Sequence, residues 1–150
     1  MTDFASLIRH LSEGGVDCIV IGGFAGTIHG AARLTVDLDV VYSRDNDNIS
    51  RLANSLTDLA PYLRGAPPGL PFKFDAATIH RGLNFTLTTS SGDLDLLGTV
   101  TGGGPYEALV PESEFVEVFG CKIRCLSLPK LIEVKRAAGR PKDFDAIAEL

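Results

Sequence analysis

The chain has 150 residues, 45% of them hydrophobic and 22% charged, and carries a formal net charge of −5. That is enough sequence for one domain with a real core, in a balance ordinary for a globular protein. No apolar run approaches the ~20 residues of a membrane span, and Met1-Thr2-Asp3 offers neither the basic nor the apolar region of an export signal, so a cytoplasmic protein with no membrane partner is expected.

Asp3 or Thr2 is placed to cap a first helix carrying Phe4, Leu7, Ile8 and Leu11 at helical spacing, and Gly14-Gly15 stops it. Residues 17–21 read as an apolar strand, Gly22-Gly23 as a turn, 24–29 as a short helix ended by Gly30, and 36–42 as a second strand. Residues 46–48 offer caps for a helix holding Ile49, Leu52, Leu56 and Leu59. Pro61, Pro67, Pro68 and Pro71 make 61–71 a loop. Residues 84–88 and 93–97 flank Thr89-Ser90-Ser91-Gly92 as a hairpin, and Gly102-Gly103-Gly104-Pro105 is a flexible loop. A second hairpin, 115–118 with 122–126, turns at Phe119-Gly120-Cys121. Ser127 caps a helix from about Pro129, with Leu131, Ile132, Val134 and Ala138 on its apolar side. Gly139 and Pro141 end it, and a last helix starts near Lys142. The sum is an α+β domain spanning 1–150: a small mixed sheet, helices mainly on one face, and a helical C-terminus.

Cys18, Cys121 and Cys125 lack zinc-type spacing, and His10, His29 and His80 are scattered. Buried, reduced thiols are expected, and no histidine-based metal site.

Chemistry concentrates at Asp37-Leu38-Asp39-Val40, thirteen residues after Gly22-Gly23. Strand side chains alternate, so Asp37 and Asp39 share a face at roughly 6–7 Å between Cα atoms. Like charges held that close repel and lose hydration unless a cation lies between them. Oxygen-only donors suit Mg²⁺, which keeps waters and is shared with substrate phosphates. The glycine pair lets a backbone approach phosphate oxygens, and the helix after it presents free N–H groups. From Lys122 to Lys142 there are seven basic residues against one acid, Glu133, which fits a site for a metal-bound polyphosphate. For any single lysine, a solvated helix face is the simpler account.

The run Gly22-Gly23, thirteen residues, Asp37-Leu38-Asp39-Val40 resembles the signature of the DNA polymerase beta-like nucleotidyltransferase superfamily. Arg33-Leu34-Thr35-Val36-Asp37-Leu38-Asp39 is similar to the version in small bacterial nucleotidyltransferases, including those of abortive-infection and toxin–antitoxin systems. The stretch from Leu126 to Ile132, then Lys135 and Arg140-Pro141-Lys142-Asp143, is similar to a region of those proteins where a helix brings basic side chains to the nucleotide.

The resemblance implies a third carboxylate on an adjacent strand. Asp95, flanked by leucines, is the choice; Asp93, next to Gly92, reads as a turn residue that alternation also allows to support Asp95. It further implies two Mg²⁺ ions on Asp37, Asp39 and Asp95, and a nucleoside triphosphate such as ATP lying over Gly22 and Gly23. Lys135 and Arg140 would offset phosphate charge, and Arg33 and Thr35 would stand near the nucleotide or the acceptor. Many members have serine after the first glycine; here the position is Gly23, so backbone N–H must serve. The implied reaction moves a nucleoside monophosphate to a hydroxyl of a protein, an RNA or a small molecule and releases pyrophosphate.

A dinucleotide-binding fold fails because the G-x-G-x-x-G order is absent, the helix after the glycines is short, and Asp37 lies too close to them. The serious alternative is a non-catalytic nucleotidyltransferase-fold binding module, an antitoxin-like partner of another protein. A dedicated nucleic-acid binder lacks an aromatic platform within the basic run, since Phe115 and Phe119 precede it.

Overall fold

The computed structural model describes residues 1–139. Helix α1 (Phe4–Glu13) opens the chain, with Asp3 as its N-cap accepting from the Ser6 N–H at 3.0 Å. Strand β1 (Cys18–Ile21) runs straight into α2 (Gly22–Ile28), and β2 (Asp37–Tyr42) follows an extended loop. The glycine turn and the short helix are thus one element, because Gly22 turns the chain at φ +70° while already opening the helix. Helix α3 (Asn46–Leu56) stops three residues before Leu59, which sits instead in a 3₁₀ turn over Thr57–Leu59.

The proline-rich stretch holds a strand that periodicity does not predict, β3 (Tyr62–Leu63), and a helix follows it, α4 (Ala76–Arg81), capped by the Asp75 carboxylate on the Thr78 N–H at 2.9 Å. Strands β4 (Phe85–Thr89) and β5 (Gly92–Leu97) form the first predicted hairpin, pairing from Thr89 opposite Gly92. A two-stranded ribbon, β6 (Thr99–Val100) with β7 (Gly104–Pro105), occupies the glycine-rich loop and leads into a short helix, α5 (Tyr106–Leu109). The second hairpin is β8 (Ser113–Val118) with β9 (Cys121–Leu126), turning at Phe119 and Gly120, both at positive φ as a two-residue hairpin loop requires. Ser127 caps α6 (Leu128–Ala138), and Gly139, at φ +70°, closes it. The helix expected from Lys142 lies outside the described residues.

Seven strands form one mixed sheet in the order β3-β4-β5-β2-β1-β9-β8. Strand β2 is antiparallel to β1 and parallel to β5, and β1 is parallel to β9. Helices α1, α3 and α4 form a contiguous layer, α1 against α3 and α3 against α4. Their apolar residues Leu7, Ile8, Leu11, Ile49, Leu52, Leu56 and Ile79 are fully buried in one core with Leu38, Val40, Leu94 and Leu96 of the central strands. Burying a side chain of that size contributes about 1.5–3 kcal/mol. Every second residue of β2 and β5 is therefore fixed inward, and the residues between them must face the other way. Asn48, expected near a helix cap, is instead fully buried, accepting from the Asp17 N–H and donating to the Asp17 and Ser43 carbonyls. Cys18 and Cys125 are buried free thiols, and burial pushes both up to about 12, whereas Cys121, at the hairpin turn, is only half-buried. Among the described residues no helix is long and apolar enough to cross a membrane.

Candidate metal and nucleotide site

Register builds the site. In the parallel β2–β5 pair, Asp37 lies opposite Asp93 and Asp39 opposite Asp95. With Leu38, Val40, Leu94 and Leu96 held in the core, all four carboxylates project from the opposite face of the sheet. Oxygens of Asp37, Asp39 and Asp95 lie within 4.8 Å of one another. Asp93 is a strand residue on this face rather than a turn residue, because β5 begins at Gly92.

The arrangement is electrostatically unbalanced. Burial, and then the charges of Asp37 and Asp95, push Asp39 up to about 8. Burial and the Asp95 charge also raise Asp37. Asp39 Oδ1 is buried and has no hydrogen-bond partner among the described residues. A buried acceptor left in this condition is destabilising unless a cation or water meets it. An all-oxygen donor set of three carboxylates, one with an unpartnered oxygen, fits a hard divalent ion such as Mg²⁺. The positive end of the site is close by: Lys135, on α6, acts to lower Asp39.

Gly22 is required here. A Cβ at this position would stand 2.1 Å from Asp39 Oδ2, and the backbone is already in the left-handed region that side chains avoid. The N-terminus of α2 begins at this contact, with no side chain capping it. At Gly23 a Cβ would meet Thr35 Oγ1 at 2.8 Å, so the threonine side chain fills the room a residue larger than glycine would need. Its hydroxyl donates to the Asp37 carbonyl at 3.1 Å, which ties the loop before β2 to the site.

These residues line a cleft of about 540 Å³ that holds Gly22, Gly23, Asp37, Asp39, Asp95 and Lys135. The structure therefore brings together six of the nine residues expected to form the site. Thr35 borders it from behind Gly23 and lines a neighbouring depression. Arg33 is exposed on the loop before β2 and does not line the cleft. Arg140 lies outside the described residues.

Sequence reasoning misses two residues. Asn84 lines the cleft, and its Oδ1 accepts from the Gly98 N–H at 2.8 Å. Arg64, immediately after β3, reaches the acid cluster itself: its guanidinium lies 2.8 Å from Asp95 Oδ1, 3.5 Å from Asp93 Oδ1 and 3.9 Å from Asp37 Oδ2. The one available signal was an arginine directly after a Tyr-Leu pair in a segment that prolines mark as a loop.

No family model matches the chain, and no curated protein is significantly similar to it. Among the solved structures that match is a Thermotoga maritima protein provisionally described as a nucleotidyltransferase. The two superpose with a TM-score of 0.60 at 16% identity, over 99% of this chain and 93% of that one. Identity so low speaks for architecture alone, and on that ground the chain has a nucleotidyltransferase-like α+β fold.

Proposed function

We propose that this chain is a Mg²⁺-dependent nucleotidyltransferase of the DNA polymerase beta-like superfamily, of the small bacterial type found in abortive-infection and toxin–antitoxin systems. It would move a nucleoside monophosphate from a triphosphate, ATP among them, to a hydroxyl acceptor. One observation carries the reading. Asp37, Asp39 and Asp95 converge within 4.8 Å at the start of α2, with Lys135 lining the same cleft.

Asp37 and Asp39 would hold two ions, with Asp95 sharing one of them. Bound there, Mg²⁺ neutralises triphosphate charge and lowers the pKa of the acceptor hydroxyl. The uncapped N–H groups at the start of α2 and the Lys135 ammonium are placed to bind phosphate oxygens and offset charge on the leaving pyrophosphate. Asp95 takes the acceptor proton as the hydroxyl oxygen bonds to the α-phosphorus and the bond from phosphorus to the bridging oxygen breaks. Arg140, as the resemblance implies, would add to the cation set. The acceptor is a protein, an RNA or a small molecule, and the compartment is the cytoplasm, where triphosphates are made.

A second reading takes support from Arg64. With a guanidinium among the carboxylates, the fold can keep its acids without an ion, as a binding module for a cognate partner protein would need. Incubating the chain with each labelled triphosphate and Mg²⁺ in cell lysate separates the two. Label transfer by the wild type that Asp39→Asn abolishes supports the enzyme. Partner capture by both proteins without label transfer supports the module.

A further inference from the structure

We infer that Arg64 is a resident counter-cation of the acid cluster, which a divalent ion must push off Asp95 in order to bind. The inference rests on the metal-site reading and says how that site is regulated.

Sheet register places the arginine. Leu63 pairs with Leu87, and the Arg64 N–H donates to the Thr86 carbonyl at 3.0 Å, which extends the β3–β4 ladder by one residue. Thr86 lies opposite Asp95, and Asp95 lies opposite Asp39. Arg64, Thr86, Asp95 and Asp39 therefore occupy one row across the sheet, and the guanidinium enters the site from its edge.

Its contacts are unequal. One terminal nitrogen donates both to Asp95 Oδ1, at 2.8 Å, and to the Leu87 carbonyl, at 2.7 Å. The contacts to Asp93 and Asp37, at 3.5 and 3.9 Å, are long for charge-assisted bonds. Among the described residues, Nε is buried without a hydrogen-bond partner, and Asp39 Oδ1 is not reached. One good bond thus neutralises Asp95 while the rest of the cluster stays only partly compensated. The Leu87 carbonyl bond gives the side chain a hold that does not involve the carboxylates. An ion on Asp95 would share its oxygen with a like charge at hydrogen-bond distance, which is repulsive. Arg64 would then let go of Asp95 and stay on Leu87, and its departure would set the ion concentration at which the site fills.

Direct Mn²⁺ titration by calorimetry on the full chain tests this, with Arg64→Gln, Arg64→Lys and Asp39→Asn alongside the wild type. Arg64→Gln should bind Mn²⁺ about tenfold more tightly than wild type. Arg64→Lys should fall between them, because a lysine keeps the charge and loses the planar fork. In the wild type, the Arg64 Nε–H resonance, assigned through its bonded neighbours, should shift at saturating Mg²⁺, a readout that needs no variant to fold. Affinity in Arg64→Gln equal to or weaker than wild type, or an unmoved resonance in an ion-saturated wild type, overturns the role of Arg64 and leaves the metal site standing. If wild type and Arg64→Gln both fail to bind, the metal site falls and the inference with it.

Discussion

The two flanks of β5 carry opposite charges on the row that runs through Asp95. On one side Asp37 and Asp39 of β2 sit opposite Asp93 and Asp95; on the other, Thr86 leads out to Arg64 at the edge and Thr88 to Tyr62. The flank toward β2 is under-compensated, with a buried unpartnered oxygen on Asp39. The flank toward β3 is settled, with Asp95 held in a 2.8 Å ion pair. A fold can therefore tolerate gathered carboxylates by neutralising one of them internally and leaving the deepest without a partner. That residual imbalance is what an incoming ion would relieve.

The sharpest way to break the contrast is to remove the uncompensated acid. If the proposed reaction is right, Asp39→Asn should lower label transfer by about a thousandfold or more, because Asp39 would hold the ions with the carboxylate that no internal cation compensates. The same substitution should leave the ion-free protein folded, and at pH 8.5 more stable, since a neutral amide relieves the repulsion. Thermal melting with and without Mg²⁺ and triphosphate checks both halves. A wild type and an Asp39→Asn protein with equal ligand-induced shifts would contradict the site.

The next effect tests how tightly the glycine turn is fitted to Asp39. Gly22→Ala adds a Cβ 2.1 Å from Asp39 Oδ2 at a φ of +70°, so a loss of about 3 kcal/mol or more is expected. Gly120→Ala is the matched control, because its φ is +75° with nothing within 4 Å. There only the conformational penalty applies, about 1–2 kcal/mol. Denaturant midpoints of the two variants compare steric approach with backbone strain directly.

The same contrast explains what could be read from the chain in advance. The β2 flank was legible because its information is local: alternation fixes the faces of Asp37 and Asp39, and glycines mark the bend before them. Asp95 could be reached by the same alternation. Which β2 residue Asp95 faces could not, because the parallel β2–β5 register is set by distant packing and not by neighbours in sequence. Asp93 reads as a turn residue for a local reason: Gly92 looks like a terminator, yet it already pairs with Thr89. Arg64 was invisible because β3 has two residues and lies among prolines, too short for any period to show. Helix α4 carried a capping signal in Asp75, but just one of its residues, Ile79, is buried, so it has no apolar stripe to recognise.

Lys135 offers a smaller effect. It lines the same cleft as the acids, and its charge acts on Asp39 without an ion pair to it among the described residues. Lys135→Ala should reduce label transfer by about tenfold to a hundredfold, less than any metal-holding aspartate, with the loss expressed in triphosphate dependence. A loss as large as that of Asp39→Asn would mean that the lysine touches the reacting atoms and the division between the flanks is wrong.

Acidity provides the finest probe. Asp39 is pushed up to about 8, and Asp37 is shifted the same way. A carboxyl raised in the folded state holds more protons there than in the unfolded chain, so its contribution to stability is complete below the ordinary carboxylate range. It is lost as pH climbs from about 4 toward 8. Ion-free protein should accordingly melt at falling temperature across that window, and Asp39→Asn should flatten the slope. Metal binding must expel the same proton, so Mg²⁺ affinity should rise with pH by up to about tenfold per unit until Asp39 is ionised. Titrations in buffers of different ionisation enthalpy count the released proton. Release of close to one proton at pH 7, falling toward none above pH 9, supports a protonated Asp39 in the ion-free site; release that stays constant across that range contradicts it.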